Sequence, residues 1–181
     1  MNSSKLKNNT VIITGASEGL GKEFALCFSR RGFSIGLIAR RKELLTEVMQ
    51  ECLRTGAKNV YIETADVTDS AAFRAVLSKL DTQLNGTGIF IANAGVTGRS
   101  KIKQDNYEQA LWTLKVNLLA AIDGIEWIKE RMVARGEGII VGISSVAAAR
   151  GIPESGTYAA SKAALTNYLE GLNAELSSLG V

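Results

Sequence analysis

The 181-residue chain contains no histidine, only one proline and only two cysteines. Without histidine, the Ser-His-Asp and Cys-His nucleophilic schemes are excluded, and so are the commonest zinc sites. Any acid or base catalysis must therefore use tyrosine, lysine, aspartate or glutamate. Cys27 and Cys52 stand alone on predicted helices, so neither a disulfide framework nor a metal-binding cluster is indicated.

Long apolar runs and clustered charge are also absent. No uncharged apolar stretch is long enough for a membrane span, and the first ten residues are polar and lysine-bearing, unlike a signal peptide. The net charge is +3, and acidic residues lie between the basic pairs, whereas nucleic-acid binding needs a clustered basic stripe. We therefore expect a cytoplasmic protein with no membrane span and no nucleic-acid partner.

Apolar strands alternate with amphipathic helices along the whole chain. Runs rich in β-branched residues predict strands at 10–14, 34–39, 59–63, 88–92 and 138–143. Segments of helical period predict helices at 20–31, 42–55, 70–84, 107–134 and 157–179. Near-continuous apolar strands joined by helices indicate right-handed crossovers and a sheet covered on both faces. We predict one α/β domain with a doubly wound, Rossmann-like parallel sheet in three α/β/α layers.

A glycine-rich turn joins the first predicted strand to the first helix. Gly15, Gly19 and Gly21 let the backbone approach a pyrophosphate, whose charge meets the N–H groups and positive end of that helix. A P-loop is excluded because Lys22 is followed by Glu23 instead of serine or threonine. The turn therefore predicts a nucleotide site, with glycine required only for packing as the alternative.

Polar residues also follow each of the four remaining predicted strands. Arg40 follows the second strand, Asp66 the third, Asn93 the fourth and Ser145 the fifth. In an open α/β sheet the ligand crevice lies at the carboxyl ends of the strands. These residues are therefore expected to surround one ligand site.

Tyr158 and Lys162 are four residues apart on the last predicted helix, which places them on one face of it. A free tyrosine has a pKa near ~10, too high for efficient proton exchange at neutral pH. A neighbouring cation favours the ionised phenolate. Lys162 can therefore turn Tyr158 into a usable acid and base; the alternative is an accidental surface pair.

These residues together resemble the signature set of the short-chain dehydrogenase/reductase family. The set comprises Thr14-Gly-x-x-x-Gly-x-Gly, Asp66, Asn93-Ala-Gly, Asn117, Ser145 and Tyr158-x-x-x-Lys162. The match spans nearly the whole chain, and the order and spacing of the motifs make it specific. The resemblance implies an oxidoreductase that transfers hydride between NADP(H) and a small carbonyl or secondary alcohol, with Tyr158 as acid/base.

The resemblance also implies catalytic roles for other residues. Ser145 would hold the substrate oxygen beside Tyr158, with Ser144 as the competing serine and a turn cap as the alternative role. Asn117 would hold a water in a proton relay leading to Lys162. The alternative is a core amide whose hydrogen bonds are met by the backbone.

Cofactor contacts are implied for five parts of the chain. Asp66 and Val67 would flank the adenine ring, although Asp66 could equally serve as a helix cap like Asp69. The remaining predicted cofactor-binding residues are Gly15, Ser17, Gly19, Leu20, Gly21, Arg40, Asn93, Ala94, Gly95, Tyr158 and Lys162.

The end of the second strand predicts which nicotinamide cofactor is preferred. NAD-binding proteins place an acidic residue there to bind the adenosine ribose, but this chain has Arg40. A guanidinium suits a phosphate, so NADP(H) is favoured. Glu18 argues in the other direction, because phosphate-preferring relatives often carry a basic residue at that place. The sequence therefore leaves binding of NAD(H) open.

The same resemblance has implications for the oligomeric state and for the length of the whole protein. The helices at 107–134 and 157–179 resemble those that pair subunits in relatives, which implies a homodimer or homotetramer. The chain ends at Val181, whereas the family pattern continues with two more strands and a substrate-covering segment. The alternatives are a C-terminally truncated fragment, a shortened protein that depends on association, and a cofactor-binding pseudoenzyme or interaction protein without turnover.

Overall fold

The computed structural model describes residues 8–97 and 107–181; most of the polar amino-terminal segment lies outside them. Helices and strands alternate as the sequence predicts. The strands are β1 (Thr10–Thr14), β2 (Ser34–Ala39), β3 (Asn59–Thr64), β4 (Ile89–Ala92) and β5 (Ile139–Gly142). The α-helices are α1 (Gly19–Ser29), α2 (Lys42–Thr55), α3 (Ser70–Gln83), α4 (Tyr107–Leu114), α5 (Ala120–Arg135) and α6 (Gly156–Leu176).

The strands form one parallel sheet in the order β3-β2-β1-β4-β5. The order changes direction at β1, where the chain crosses from β3 back to β4. The carboxyl ends of β1 and β4 therefore flank the crevice in which doubly wound sheets bind ligands. The predicted Rossmann-like architecture is confirmed.

The core lies in two layers, one on each face of the sheet. One layer packs β-strand residues such as Ile12 and Phe90 against α3, α5 and α6. The other packs Val11 and Ile35 against α1 and α2. Every residue of β1, β2 and β4 is buried, because helices cover both faces of these strands. This explains why they read as continuous apolar runs.

The predicted long helix over 107–134 is interrupted. A π-helical segment, Lys115–Leu119, separates α4 from α5. π-Helical segments are rare in proteins, and many of those that occur lie at functional sites. Hydrophobic period alone does not reveal it, because the apolar face continues on both sides of the segment.

Residues 8–97 and 107–181 contain neither a membrane-spanning helix nor a metal-binding group of side chains. No helix in these ranges is both long and apolar enough to cross a membrane. No group of three or more histidine, cysteine, aspartate or glutamate side chains there could hold a metal ion. Cys27 is a partly buried free thiol and Cys52 a buried one.

Candidate functional site

A cleft of about 310 Å³ opens at the carboxyl ends of the strands. It brings together most of the residues that the sequence assigns to a cofactor. These are Gly15, Ser17, Leu20, Arg40, Asp66, Val67, Asn93, Ala94 and Gly95. Trp112, Val116 and Val96 also line the cleft; their apolar character alone did not mark them as site residues.

Gly19 and Gly21 shape the turn that opens α1. A Cβ atom on Gly21 would lie 2.3 Å from the carbonyl oxygen of Gly15, so only glycine fits there. Gly19 has a φ of +55°, which favours glycine, and a Cβ there would meet no atom within 4 Å. The turn is thus tightly packed at one glycine and open at another. Gly21 therefore allows the turn to pack closely, and Gly19 leaves space for a ligand.

Thr14 and Asn93 tie the end of β1 to the end of β4. The Thr14 hydroxyl accepts hydrogen bonds from the backbone N–H groups of Asn93 and Ala94, both at 3.0 Å. The Asn93 side-chain amide donates to the carbonyl oxygens of Thr14 at 3.0 Å and Gly15 at 3.2 Å. Asn93 therefore fixes the glycine turn. The sequence placed Thr14 in that turn but gave no sign of its bridging role.

Two adjacent arginines at the end of β2 have different surroundings. Arg41 lies 2.6 Å from the Glu18 carboxylate, and its guanidinium donates to the Ser17 hydroxyl at 3.0 Å. Arg40 is exposed at the cleft and has no ion-pair or hydrogen-bond partner in the described part of the chain. Arg41 also lines the cleft, although only Arg40, the first residue after the strand, was predicted to bind the cofactor.

Asp66 is held in a turn beyond β3. Its Oδ1 accepts hydrogen bonds from the Thr68 backbone N–H at 2.9 Å and the Thr68 hydroxyl at 2.7 Å. The backbone hydrogen bond is the main reason why the pKa of Asp66 lies below its usual range, and the positive charge of Arg40 adds to it. The helix cap of α3 is Asp69, which accepts from the Ala72 N–H. Asp66 is thus an ionised cleft residue and not that cap.

Asn117 lies in the π-helical segment with only 1% of its surface exposed. Its Oδ1 accepts from the Val96 N–H at 2.7 Å, and its Nδ2 donates to the Val96 carbonyl at 2.8 Å and the Ser161 hydroxyl at 3.2 Å. Both amide protons are therefore used within the protein. A water in the predicted relay would have to bind the main chain or the remaining lone pair of Oδ1.

Lys162 is buried beside Asn117. Its ammonium group donates to the Ile143 carbonyl oxygen at 2.7 Å, just beyond the end of β5. Burial lowers the pKa of Lys162 below its usual range. A Cβ on Gly95 would lie 3.6 Å from the Lys162 Nζ and 3.3 Å from the Asn117 Oδ1. The lysine therefore ties α6 to the end of β5, and its ammonium group lies near Gly95 in the loop beyond β4.

The two serines after β5 have separate roles. Ser144 contacts the Thr166 hydroxyl at 2.6 Å and the Lys162 carbonyl at 3.2 Å, which fastens β5 to α6. Ser145 accepts from the Ala147 N–H at 3.2 Å and caps a short 3₁₀ turn. The sequence allowed either serine to be the turn cap, and the structure places this cap at Ser145. The Ser144 hydroxyl instead bonds to α6. Tyr158 is half-buried in the first turn of α6.

Fold and cleft together define an α/β domain of the dinucleotide-binding class. A family model described as short chain dehydrogenase matches residues 9–181. An uncharacterized oxidoreductase of Myxococcus xanthus (strain DK1622) is 33% identical over 178 residues, which cover 98% of this chain and 70% of the relative. A hydroxysteroid 11-beta-dehydrogenase 1-like protein of Xenopus tropicalis is 33% identical over 172 residues, 95% of this chain and 60% of that protein.

The crystal structure of levodione reductase superimposes with a TM-score of 0.90 at 26% identity, covering 95% of this chain and 68% of that one. The chain belongs to the short-chain dehydrogenase/reductase family, whose members are NAD(P)-dependent oxidoreductases. It spans between 52% and 70% of the length of the curated relatives compared. The predicted family is therefore confirmed, and the activity of the whole protein is the subject of the proposal that follows.

Proposed function

We propose that this chain is the cofactor-binding and catalytic part of an NADP(H)-dependent reductase that acts on a carbonyl or secondary alcohol, with Tyr158 as acid/base. The observation that carries the proposal is the arrangement around Lys162. Its buried ammonium group bonds to the carbonyl oxygen of Ile143, which lies at the end of β5 and two residues before Ser145. Tyr158 lies one turn before Lys162 on α6. The names of the levodione reductase and hydroxysteroid dehydrogenase relatives support carbonyl or alcohol chemistry.

The residues around the glycine turn fit a dinucleotide. Glu18, the residue before α1, makes no side-chain hydrogen bond to the first turn of the helix. The first-turn N–H groups are therefore left to a phosphate, whose negative charge the helix end favours. Gly19 leaves open space in front of them. Asp66 and Val67 line the cleft beyond β3, where an adenine ring would lie. When bound, the cofactor supplies or accepts the hydride.

The remaining roles in the proposed reaction belong to side chains near the end of β5. The Ser145 hydroxyl would orient the substrate oxygen toward Tyr158, whose phenol gives or takes the proton. Lys162, one turn later on α6 and buried, would place its positive charge beside the reacting groups. Asn117 holds Val96 and Ser161 in place. An NADPH-consumption assay with a panel of ketones and aldehydes tests the activity.

The preferred cofactor is NADPH, and Arg40 is the expected phosphate ligand. Replacing Arg40 by alanine should weaken NADPH binding about tenfold, the loss of one exposed charged contact, while NADH binding changes by less than about twofold. Fluorescence titration of both cofactors measures this. Arg30→Ala is the matched control, because Arg30 is an exposed arginine at the far end of α1. Tighter binding of NADH by the unmodified chain, or an unchanged NADPH preference in Arg40→Ala, contradicts the assignment.

The assembly proposed with this function is a homodimer or homotetramer. Leu111 on α4 and Leu119 in the π-helical segment are large apolar side chains exposed to 38% and 56%. Sedimentation velocity at micromolar concentration should show a dimer or larger species, and Leu119→Asp should shift it toward monomer by placing a charge in the interface. Leu53→Asp on α2 is the control at a similarly exposed leucine. A single monomeric species for the unmodified protein contradicts this proposal.

A further inference from the structure

The first turn of α6, which carries Tyr158, has no side-chain cap. Ser155 precedes the helix and makes no side-chain hydrogen bond to it, so the free N–H groups of this helix end lack the partner that a capping residue supplies. The residues before it, 150–154, are all exposed. The position of Tyr158 relative to the cleft is therefore expected to depend on contacts made further along the helix.

Ser161 supplies such a contact. It is fully buried, and its hydroxyl donates to the Tyr158 carbonyl oxygen at 2.7 Å. The same hydroxyl accepts a hydrogen bond from the Asn117 Nδ2 at 3.2 Å. The two directions are fixed because a carbonyl oxygen only accepts and an amide nitrogen only donates. One hydroxyl therefore connects the main chain at Tyr158 to the π-helical segment.

The hydrogen bonds continue from Asn117 to the wall of the cleft. The Asn117 amide bonds both backbone polar groups of Val96, at 2.7 and 2.8 Å, and Val96 lines the cleft beside Gly95. Asn117 and Ser161 are 1% and 0% exposed, and hydrogen bonds in such surroundings are stronger than those in water. A buried chain of hydrogen bonds thus links the cleft wall beyond β4 to the helical turn that carries Tyr158.

We propose that Ser161 is a positioning residue that holds Tyr158 at its working distance from the cofactor cleft. This inference rests on the proposed function and adds a residue that does not itself line the cleft. Alanine at position 161 removes a donor from the Tyr158 carbonyl and leaves one N–H of the buried Asn117 amide without its acceptor, which is costly inside a protein. The first turn of α6 is then free to shift relative to the cleft.

The alternative role for Ser161 is structural only, and Ser29 provides the matched control for it. Ser29 is also fully buried, and its hydroxyl donates to the carbonyl three residues earlier, that of Leu26, at 2.8 Å. It also contacts a second side chain, the Thr55 hydroxyl. Ser29 is the last residue of α1, whose first residues lie at the cleft. Ser29→Ala therefore removes the same kind of buried contact at a distance from the proposed reaction.

The test measures kcat, NADPH affinity and melting temperature for variants of the whole enzyme. Ser161→Ala should lower kcat for ketone reduction by about ten- to 100-fold, because a small misplacement of a reacting group is costly. The solvent deuterium isotope effect on kcat should rise, because transfer of the Tyr158 proton becomes the slow step. NADPH affinity should change by less than about twofold, since Ser161 lies outside the cleft lining. Ser29→Ala should lower the melting temperature by a similar amount and leave kcat and the isotope effect unchanged.

Two further variants keep the hydroxyl or only the volume of the serine. Ser161→Thr keeps the hydroxyl and should recover most of kcat. Ser161→Cys fills nearly the same space with a weaker hydrogen-bonding group, so it should lose kcat even if the alanine variant does not fold.

Three results would overturn the proposal. They are an unchanged kcat in both Ser161→Ala and Ser161→Cys, an equal loss of kcat in Ser29→Ala, and a Ser161→Thr variant that is as inactive as alanine at an unchanged melting temperature. The underlying function is tested separately by Tyr158→Phe. If Tyr158→Phe stays active, Tyr158 is not the acid and both proposals fail. If Tyr158→Phe is inactive while Ser161→Ala turns over normally, only the role of Ser161 fails.

Discussion

Replacing Tyr158 by phenylalanine is expected to lower turnover of ketones and aldehydes by about 10²- to 10⁴-fold, the range attributed to general acid–base catalysis. The substitution removes only the phenolic oxygen and proton, and the aromatic ring keeps its place in the first turn of α6. The cleft residues that would bind NADPH, such as Arg40 and Asn93, are untouched. NADPH affinity should therefore change by less than about twofold.

The measurement compares steady-state turnover with NADPH affinity for each variant. Tyr168→Phe is the matched control, because Tyr168 lies on the same helix and its hydroxyl donates to Glu126. This control should lose some stability and keep its turnover. Equal activity of Tyr158→Phe and the unmodified enzyme would eliminate Tyr158 as the acid. Loss of NADPH binding in Tyr158→Phe would show instead that the phenol is needed for the cofactor.

The sheet could be predicted closely because its strands are buried on both faces. Burial of both faces makes the strands continuous apolar runs, and β1 and β2 begin and end at the predicted residues. The bounds of α2, Lys42–Thr55, also match the predicted helix. Gly56, with a φ of +115°, terminates α2, as glycine commonly does. The cleft followed from the rule that parallel strands present their carboxyl ends at one edge.

Several features of the site could not be predicted, because they depend on contacts between distant parts of the chain. The ion pair between Glu18 and Arg41 joins residues on different elements, and no local pattern distinguishes Arg41 from Arg40. The π-helical segment leaves the apolar pattern around Asn117 unchanged. The saturation of the Asn117 amide by Val96 and Ser161 requires the packing of α6 against the π-helical segment. Sequence motifs identified this residue, but its hydrogen bonds required the fold.

The second large effect is expected at Gly21, in the first turn of α1. A Cβ atom added to Gly21 would lie 2.3 Å from the Gly15 carbonyl oxygen and 2.7 Å from the Asn93 Nδ2. The first of these is a backbone atom, which cannot move aside as a flexible side chain would. Gly21→Ala therefore has to displace the glycine turn from α1, and overpacking of this kind costs about 1 to 3 kcal/mol of stability.

The same displacement disturbs the proposed pyrophosphate site. The displaced turn no longer directs its N–H groups at the phosphates, so we expect Gly21→Ala to weaken NADPH binding by about tenfold or more, the loss of at least one charge-assisted hydrogen bond. The control is Gly171→Ala on α6, where a Cβ meets no atom within 4 Å. Alanine there should stabilise the helix by about 1 kcal/mol and leave binding unchanged. Thermal denaturation and NADPH titration of both variants measure the two effects. If Gly21→Ala binds NADPH as the unmodified chain does, the turn tolerates a side chain and does not form the pyrophosphate site.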